Sequence, residues 1–163
     1  MIRNTAVTVC GPLNVNKLGV TYVHEHLMVK PQLPDEYYIP YTLDDEAAST
    51  EETRSFSAAG GETLVEMTPI NYGRNVKAYQ RIAQATGVHV ICCTGFHKQL
   101  FMPPWFGDKT DGELYDILMD EVTNGLDDTE IHPGVIKLGT SFEEVTAAEK
   151  RSIEAVARVH RDT

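Results

Sequence analysis

Basic residues are scarce in this chain: 14 Lys and Arg stand against 24 Asp and Glu in 163 residues, a formal charge of −10 at pH 7. Binding a phosphate backbone or an anionic membrane needs clustered cations, so neither nucleic acid nor a membrane surface is an expected partner. Cysteine is sparse too. Cys10 and the adjacent Cys92 and Cys93 make neither a paired framework nor a CxxC metal spacing, as expected for reduced thiols in a cytoplasmic protein. The start of the chain lacks the apolar run and small-residue cleavage site of a secretory signal, and no later stretch nears the roughly 20 apolar residues of a membrane span. What is present is ordinary for a globular domain, 42% hydrophobic and 23% charged, enough for one core, so residues 1–163 are read as one domain.

The hydrophobic pattern alternates between two periods. Residues 5–10 read as a strand, broken at Gly11-Pro12 before a short segment from Leu13 to Lys17, which together suggest an N-terminal hairpin. Val20 to Leu27 is again strand-like, and a loop with Pro31, Pro34 and Pro40 leads to a helix over about 44–59, ended by Gly60-Gly61. A strand over 63–67 and a helix over 75–85 repeat the unit. Val88 to Cys93 is nearly all apolar, as in a strand buried on both faces. Two capping boxes, Thr110 with Glu113 and Thr146 with Glu149, open the third and fourth helices, and Val135 to Leu138 supplies the strand between them. Four strand–helix units call for a parallel sheet covered by helices, either an open doubly wound sheet or part of a closed barrel. A nucleotide-binding open sheet has little support, because neither GxGxxG nor a P-loop occurs.

Two places carry chemistry. In His24-Glu25-His26, at the end of the first strand of the repeat, strict alternation would send both imidazoles to one side, and imidazole is a good ligand for zinc and similar ions. The pair can equally be two satisfied polar side chains. Lys137 ends an otherwise apolar strand, where a buried ammonium must be paired, neutralised or modified unless it snorkels to solvent.

The order Gly11-Pro12-Leu13, Gly19 through Leu27 with its HxH, Thr68-Pro69-Ile70 with Gly73-Arg74-Asn75, Thr86-Gly87-Val88 with Thr94-Gly95-Phe96, and Gly134 through Ser141 resembles the phosphotriesterase family of the amidohydrolase superfamily, across nearly the whole chain. The resemblance implies a (β/α)8 TIM-type barrel of which this chain holds the first four units after a β-hairpin. It implies two divalent metal ions, zinc first with Mn, Co or Ni as alternatives. His24 and His26 are then ligands of the more buried ion, and Lys137, carboxylated by carbon dioxide, bridges both. A hydroxide between the two ions would attack a lactone or a phosphotriester. In that family a Tyr or Trp commonly stands two residues beyond the Thr-Gly of the third strand. Here the position is His97, followed by Lys98, a cationic pair suited to an anionic substrate such as a phosphorylated sugar lactone, although a loop lysine can also be merely solvated. Phe101, Met102, Trp105 and Phe106 either cover the pocket mouth or pack on the barrel rim.

The family also uses two histidines after the fifth and sixth strands, and an aspartate after the eighth that is both ligand and proton shuttle. No counterpart is expected within 163 residues, since His89, His132 and His160 fall at a strand start, in a loop and on a helix. The expected partners are therefore a small-molecule lactone or ester, together with a second copy in a homo-oligomer or a missing C-terminal half. By itself the chain is expected to be catalytically inactive, with at most weak metal binding, and its two open strand edges are expected to seek partners.

Overall fold

Backbone pairing follows the two periods of the sequence. The computed structural model describes residues 4–33 and 42–163; Pro34 and Pro40 of the expected loop, and the first three residues, lie outside the described residues. Strands β1 (Thr5–Thr8) and β2 (Gly11–Asn14) pair antiparallel as a hairpin. The turn falls at Val9-Cys10, so Gly11 and Pro12 begin the second strand instead of breaking the first. On an isolated two-stranded ribbon the missing Pro12 N–H leaves no ladder partner unsatisfied.

Strands β3 (Thr21–Glu25), β4 (Thr63–Glu66), β5 (His89–Gly95) and β6 (Val135–Lys137) form one parallel sheet in that order, curled into half of a barrel. The hairpin seats against the start of this sheet, where Val9 N donates to Val90 O at 2.8 Å, at the end opposite His24 and Lys137. Helix α1 (Glu46–Ala58) is capped by the Asp45 carboxylate, which accepts from the N–H groups of Ala47 and Ala48. Helix α2 (Val76–Thr86) is capped by Asn75 and stopped by Gly87 in the left-handed region. Helices α3 (Asp111–Asn124) and α4 (Ala147–Asp162) both begin at the capping boxes read from the sequence. No helix among the described residues is long and apolar enough to cross a membrane.

The core divides by layer. Leu64, Val90 and Cys92 turn toward α2, whose Tyr79 and Ile82 are fully buried, each such side chain contributing about 1.5–3 kcal/mol. Phe96 and Ile136 meet Leu114 and Leu118 of α3 and Val156 and Val159 of α4. Val23, Val65, Ile91 and Val135 belong to neither cluster, and Val23 is 73% exposed. Of the loop's large apolar side chains, Met102, Trp105 and Phe106 pack on the rim with Phe96, whereas Phe101 joins Tyr72 and Val29. Two short 3-10 turns, Gln99–Phe101 and Pro104–Asp108, shape this loop; no sequence signal distinguished them from irregular chain.

Candidate active site

One irregularity in β3 decides the site. Thr21 and Tyr22 pair with Thr63 and Leu64, but Glu25 pairs with Glu66, so three steps along β3 match two along β4. The extra residue is a β-bulge, which re-aims the side chains beyond it. Tyr22 accordingly packs on Phe56 of α1, with ring centroids 4.7 Å apart, while His24 lies on the other side of the sheet against Lys137. Uninterrupted alternation would have put Tyr22 and His24 on the same face.

Beyond the bulge three nitrogen groups converge. Lys137 Nζ lies 3.3 Å from His24 Nε2 across 113 residues of sequence, and the His24 and His26 rings meet edge to face with centroids 5.3 Å apart. Lys137 is 6% exposed and, among the described residues, forms no ion pair. Burial depresses its pKa, an effect that Cys93 and Glu66 oppose only in part. His24 is shifted in the same direction, by burial first and then by Lys137 and His26. These are two imidazoles and an amine of reduced basicity at one strand end. They suit a divalent metal, with the amine a ligand only once its charge is changed. Among the described residues no group of three or more His, Cys, Asp or Glu side chains is placed to hold a metal ion.

Two backbone contacts keep these strand ends together. Gly95 has φ +115°, and a Cβ there would lie 1.9 Å from Lys137 O, so only glycine lets β5 approach β6 this closely. A Cβ at Gly139 would lie 2.8 Å from both His97 Nδ1 and Lys98 N.

The substrate-side candidates line the next wall. Tyr72 lies between the His26 and His97 rings, with centroids 6.0 and 4.7 Å away, and Phe101 closes the group 4.8 Å from His97. His97 Nδ1 accepts the Lys98 backbone N–H at 2.7 Å, which leaves Nε2 carrying the proton in the neutral ring. Lys98 Nζ sits 5.6 Å above the Phe101 ring. The loop that carries them is fastened by Glu149. Its carboxylate accepts from the Ser141 hydroxyl at 2.6 Å and from Gln99 N at 2.9 Å, besides the capping contact with Thr146.

The three other histidines lie apart, His89 at the start of β5, His132 in the loop before β6 with Nδ1 3.1 Å from Val122 O, and His160 exposed on α4. Glu66, Thr68 and Tyr72 were not singled out as site residues from sequence, yet all three adjoin His26. Glu66 carried a usable signal: like Lys137, it is an ionisable residue closing an apolar strand.

Acid should loosen this region in two adjoining windows. Burial, reinforced by Lys137 and Lys98, pushes the His97 pKa from 6.5 to about 4. The folded state thus resists protonation there, and its stability falls as pH drops from about 6.5 to about 4. For Glu149, burial works to raise the pKa, but the hydrogen bonds from Ser141, Gln99 and Thr146 outweigh it and hold the carboxyl at about 2. Its contribution is complete above 4.5 and is lost toward about 2. Urea midpoints measured across pH should fall through both windows, and His97→Phe should shrink the upper one to the share that the depressed His24 adds, leaving the lower one as it was. An unchanged upper limb in that variant would contradict the burial of a neutral His97.

Residues 4–163 match the model of the phosphotriesterase family. A phospho-furanose lactonase of Mycoplasmopsis synoviae is 31% identical over 97% of this chain and 49% of its own length. Among solved structures, a lactonase from Listeria monocytogenes superimposes with a TM-score of 0.91 at 30% identity, over 98% of this chain and 54% of that one. An organophosphorus hydrolase from Deinococcus radiodurans does so with a TM-score of 0.84 at 35% identity, over 98% and 50%. The chain spans about half the length of the curated relatives it matches.

Proposed function

The chain belongs to the phosphotriesterase family, and on that premise we propose that it contributes His24, His26 and Lys137 to the active site of a metal-dependent hydrolase that opens lactones. The observation that carries this reading is the 3.3 Å approach of a buried amine, without an ion pair among the described residues, to an imidazole that belongs to an HxH pair. An amine whose basicity is lowered by burial is available in its neutral form to add carbon dioxide. A nitrogen–carbon bond forms, one C=O π pair moves to oxygen, and the N–H proton leaves to water. The resulting carbamate is an anion with two oxygen donors, which removes the cost of a buried cation and could serve two ions as a ligand. Two divalent ions held this way, zinc first among them, would lower the pKa of a water molecule and polarise the bond under attack. His24 and His26 would hold the first ion through their Nε2 atoms.

His97 and Lys98 are the substrate-binding residues of this reading. His97 stays neutral above about pH 5, given a pKa of about 4, and offers an Nε2–H donor, while Lys98 adds a positive charge on the same loop. That pairing favours a phosphorylated lactone, the substrate class named for the Mycoplasmopsis relative. Phosphotriester hydrolysis is the second reading, supported by the likeness to the Deinococcus enzyme.

Turnover of a phosphorylated sugar lactone, its neutral counterpart and a phosphotriester by the zinc-loaded complete barrel tests the choice. The phosphorylated lactone is expected to be the best substrate. Lys98→Ala should raise its KM about 5-fold, as for a partly exposed charge pair of about 1 kcal/mol, and leave the KM of the neutral lactone unchanged. Equal effects on both would remove Lys98 from the substrate site, and preferred turnover of the phosphotriester would establish the second reading.

A further inference from the structure

Two groups compete for the one hydrogen of the Thr68 hydroxyl. Thr68 is fully buried just past β4, with Oγ1 2.8 Å from His26 Nδ1 and 3.1 Å from Met28 O. If the hydroxyl donates to His26, Nδ1 is an acceptor and the neutral ring carries its proton on Nε2, the ring nitrogen away from Thr68. If it donates to Met28 O, its lone pair is left for a proton on Nδ1, and Nε2 is left with a free lone pair. Only the second arrangement lets Nε2 act as a ligand.

The surroundings favour the second. Met28 O is a carbonyl and can only accept. Glu66 stands behind the imidazole, fully buried, with Oε1 3.7 Å from His26 Nδ1. Its carboxylate is held in place by the N–H of Thr68 at 2.8 Å and by the N–H of Leu27. A lone pair on Nδ1 would face that carboxylate repulsively, whereas an N–H there is attracted to it. The buried Tyr79 hydroxyl, kept protonated by burial, donates to Met28 O as well, at 3.4 Å, so the carbonyl is fixed from two directions.

We infer that Thr68 is a positioning residue: by donating to Met28 O and accepting from His26 Nδ1, it holds His26 in the Nδ1–H form and turns the Nε2 lone pair toward the strand end shared with His24 and Lys137. Its use for a metal rests on the reading proposed above; the proton position does not. A histidine ligand whose second nitrogen donates to a fixed acceptor is both oriented and more basic, and loss of such a partner typically costs about 10–100-fold in metal affinity.

The experiment is long-range 1H–15N correlation on the metal-free, histidine-labelled protein, above the imidazole titration range, with His26 assigned among the six histidines by its disappearance in His26→Asn. Wild type is expected to show a pyrrole-type Nδ1 and a pyridine-type Nε2 for His26. Thr68→Val, which keeps the shape but not the hydroxyl, should shift the population toward Nε2–H and weaken the binding of Co2+, added alone, by about 10–100-fold. Thr68→Ser should restore both. A pyridine-type Nδ1 in the wild type overturns the inference by itself, even if Thr68→Val does not fold. So does a folded Thr68→Val protein with the wild-type tautomer, or a folded Thr68→Ser protein that restores neither. The expected tautomer in a wild type that binds no Co2+ would sustain the inference while sinking the proposed metal site.

Discussion

In a complete barrel, Lys137→Ala is expected to lose metal and lactone turnover together, while the metal-free folded state becomes no less stable. The loss of turnover should exceed the factor of about 10–100 typical of an outer partner of a metal ligand, because on the proposed reading the residue is itself shared by both ions. Stability should move the other way. Lys137 is 6% exposed, burial depresses its pKa, and no ion pair among the described residues compensates, so the amine is a cost that alanine or methionine removes. A neutral effect, or a gain of about 1 kcal/mol, is the expected size of such a trade between activity and stability. Metal analysis and lactone assays on the metal-loaded protein measure the first two, and urea titrations on the metal-free protein measure the third. Lys137→Arg should also be inactive, since a guanidinium keeps the charge and cannot become the carbamate, whereas short carboxylic acids added to Lys137→Ala should partly restore turnover. Full activity in Lys137→Ala would show that the residue is only structural.

Arg74→Ala is expected to be the most destabilising of the substitutions considered. The guanidinium is buried just before α2 and binds two carboxylates in a forked geometry. Nη2 lies 2.6 Å from both Glu121 Oε1 and Asp127 Oδ1, Nη1 2.9 Å from Glu121 Oε2, and Nε 3.0 Å from Asp127 Oδ2. Nη1 also reaches Cys93 O on β5 at 3.4 Å, and the Thr94 hydroxyl donates to the same Glu121 carboxylate. One side chain thus joins the β4–α2 loop, the sheet, α3 and the turn after α3. Removing it leaves Glu121 nearly buried without its cation, a situation that costs about 3–5 kcal/mol, or roughly 6–20 °C in melting temperature for a chain of this size. Arg74→Lys should recover only part, because an ammonium cannot serve both carboxylates through a planar fork. Calorimetry or thermal circular dichroism reads the difference, and a shift under about 2 °C in Arg74→Ala would mean that the network holds nothing together.

Much of the architecture could be read along the chain because its causes are local. The two capping boxes, the glycine stop after α2 and the apolar run of β5 each depend on residues within a few positions of one another, and the structure forms each where the pattern placed it. Strand ends were less legible. Gly11 and Pro12 read as a break but begin β2, since their acceptability depends on which edge is paired, and that is not a local property. Lys137 and the HxH pair were visible as chemical anomalies, an ionisable side chain closing an apolar strand and two imidazoles one residue apart. Glu66 made the same kind of anomaly and was passed over. Arg74 stood out only as part of a landmark, since nothing near it in sequence identifies Glu121 and Asp127 as its partners.

By itself, then, the sequence determined the hairpin, the four strand–helix units and the residue types that end the strands. These follow from side-chain period, capping and turn chemistry, all settled within about one turn of helix or a few residues of strand. Tertiary structure alone decided what those strand ends face. The bulge in β3 exists only as a mismatch in register with β4, and it is this mismatch that puts His24 on the side of Lys137, 3.3 Å away, while Tyr22 goes to α1. The contact between Thr68 and His26, across 42 residues, likewise waits on β3 and β4 lying side by side. Register and proton position depend on the neighbour across the sheet, and that neighbour is chosen by the packing of the whole chain.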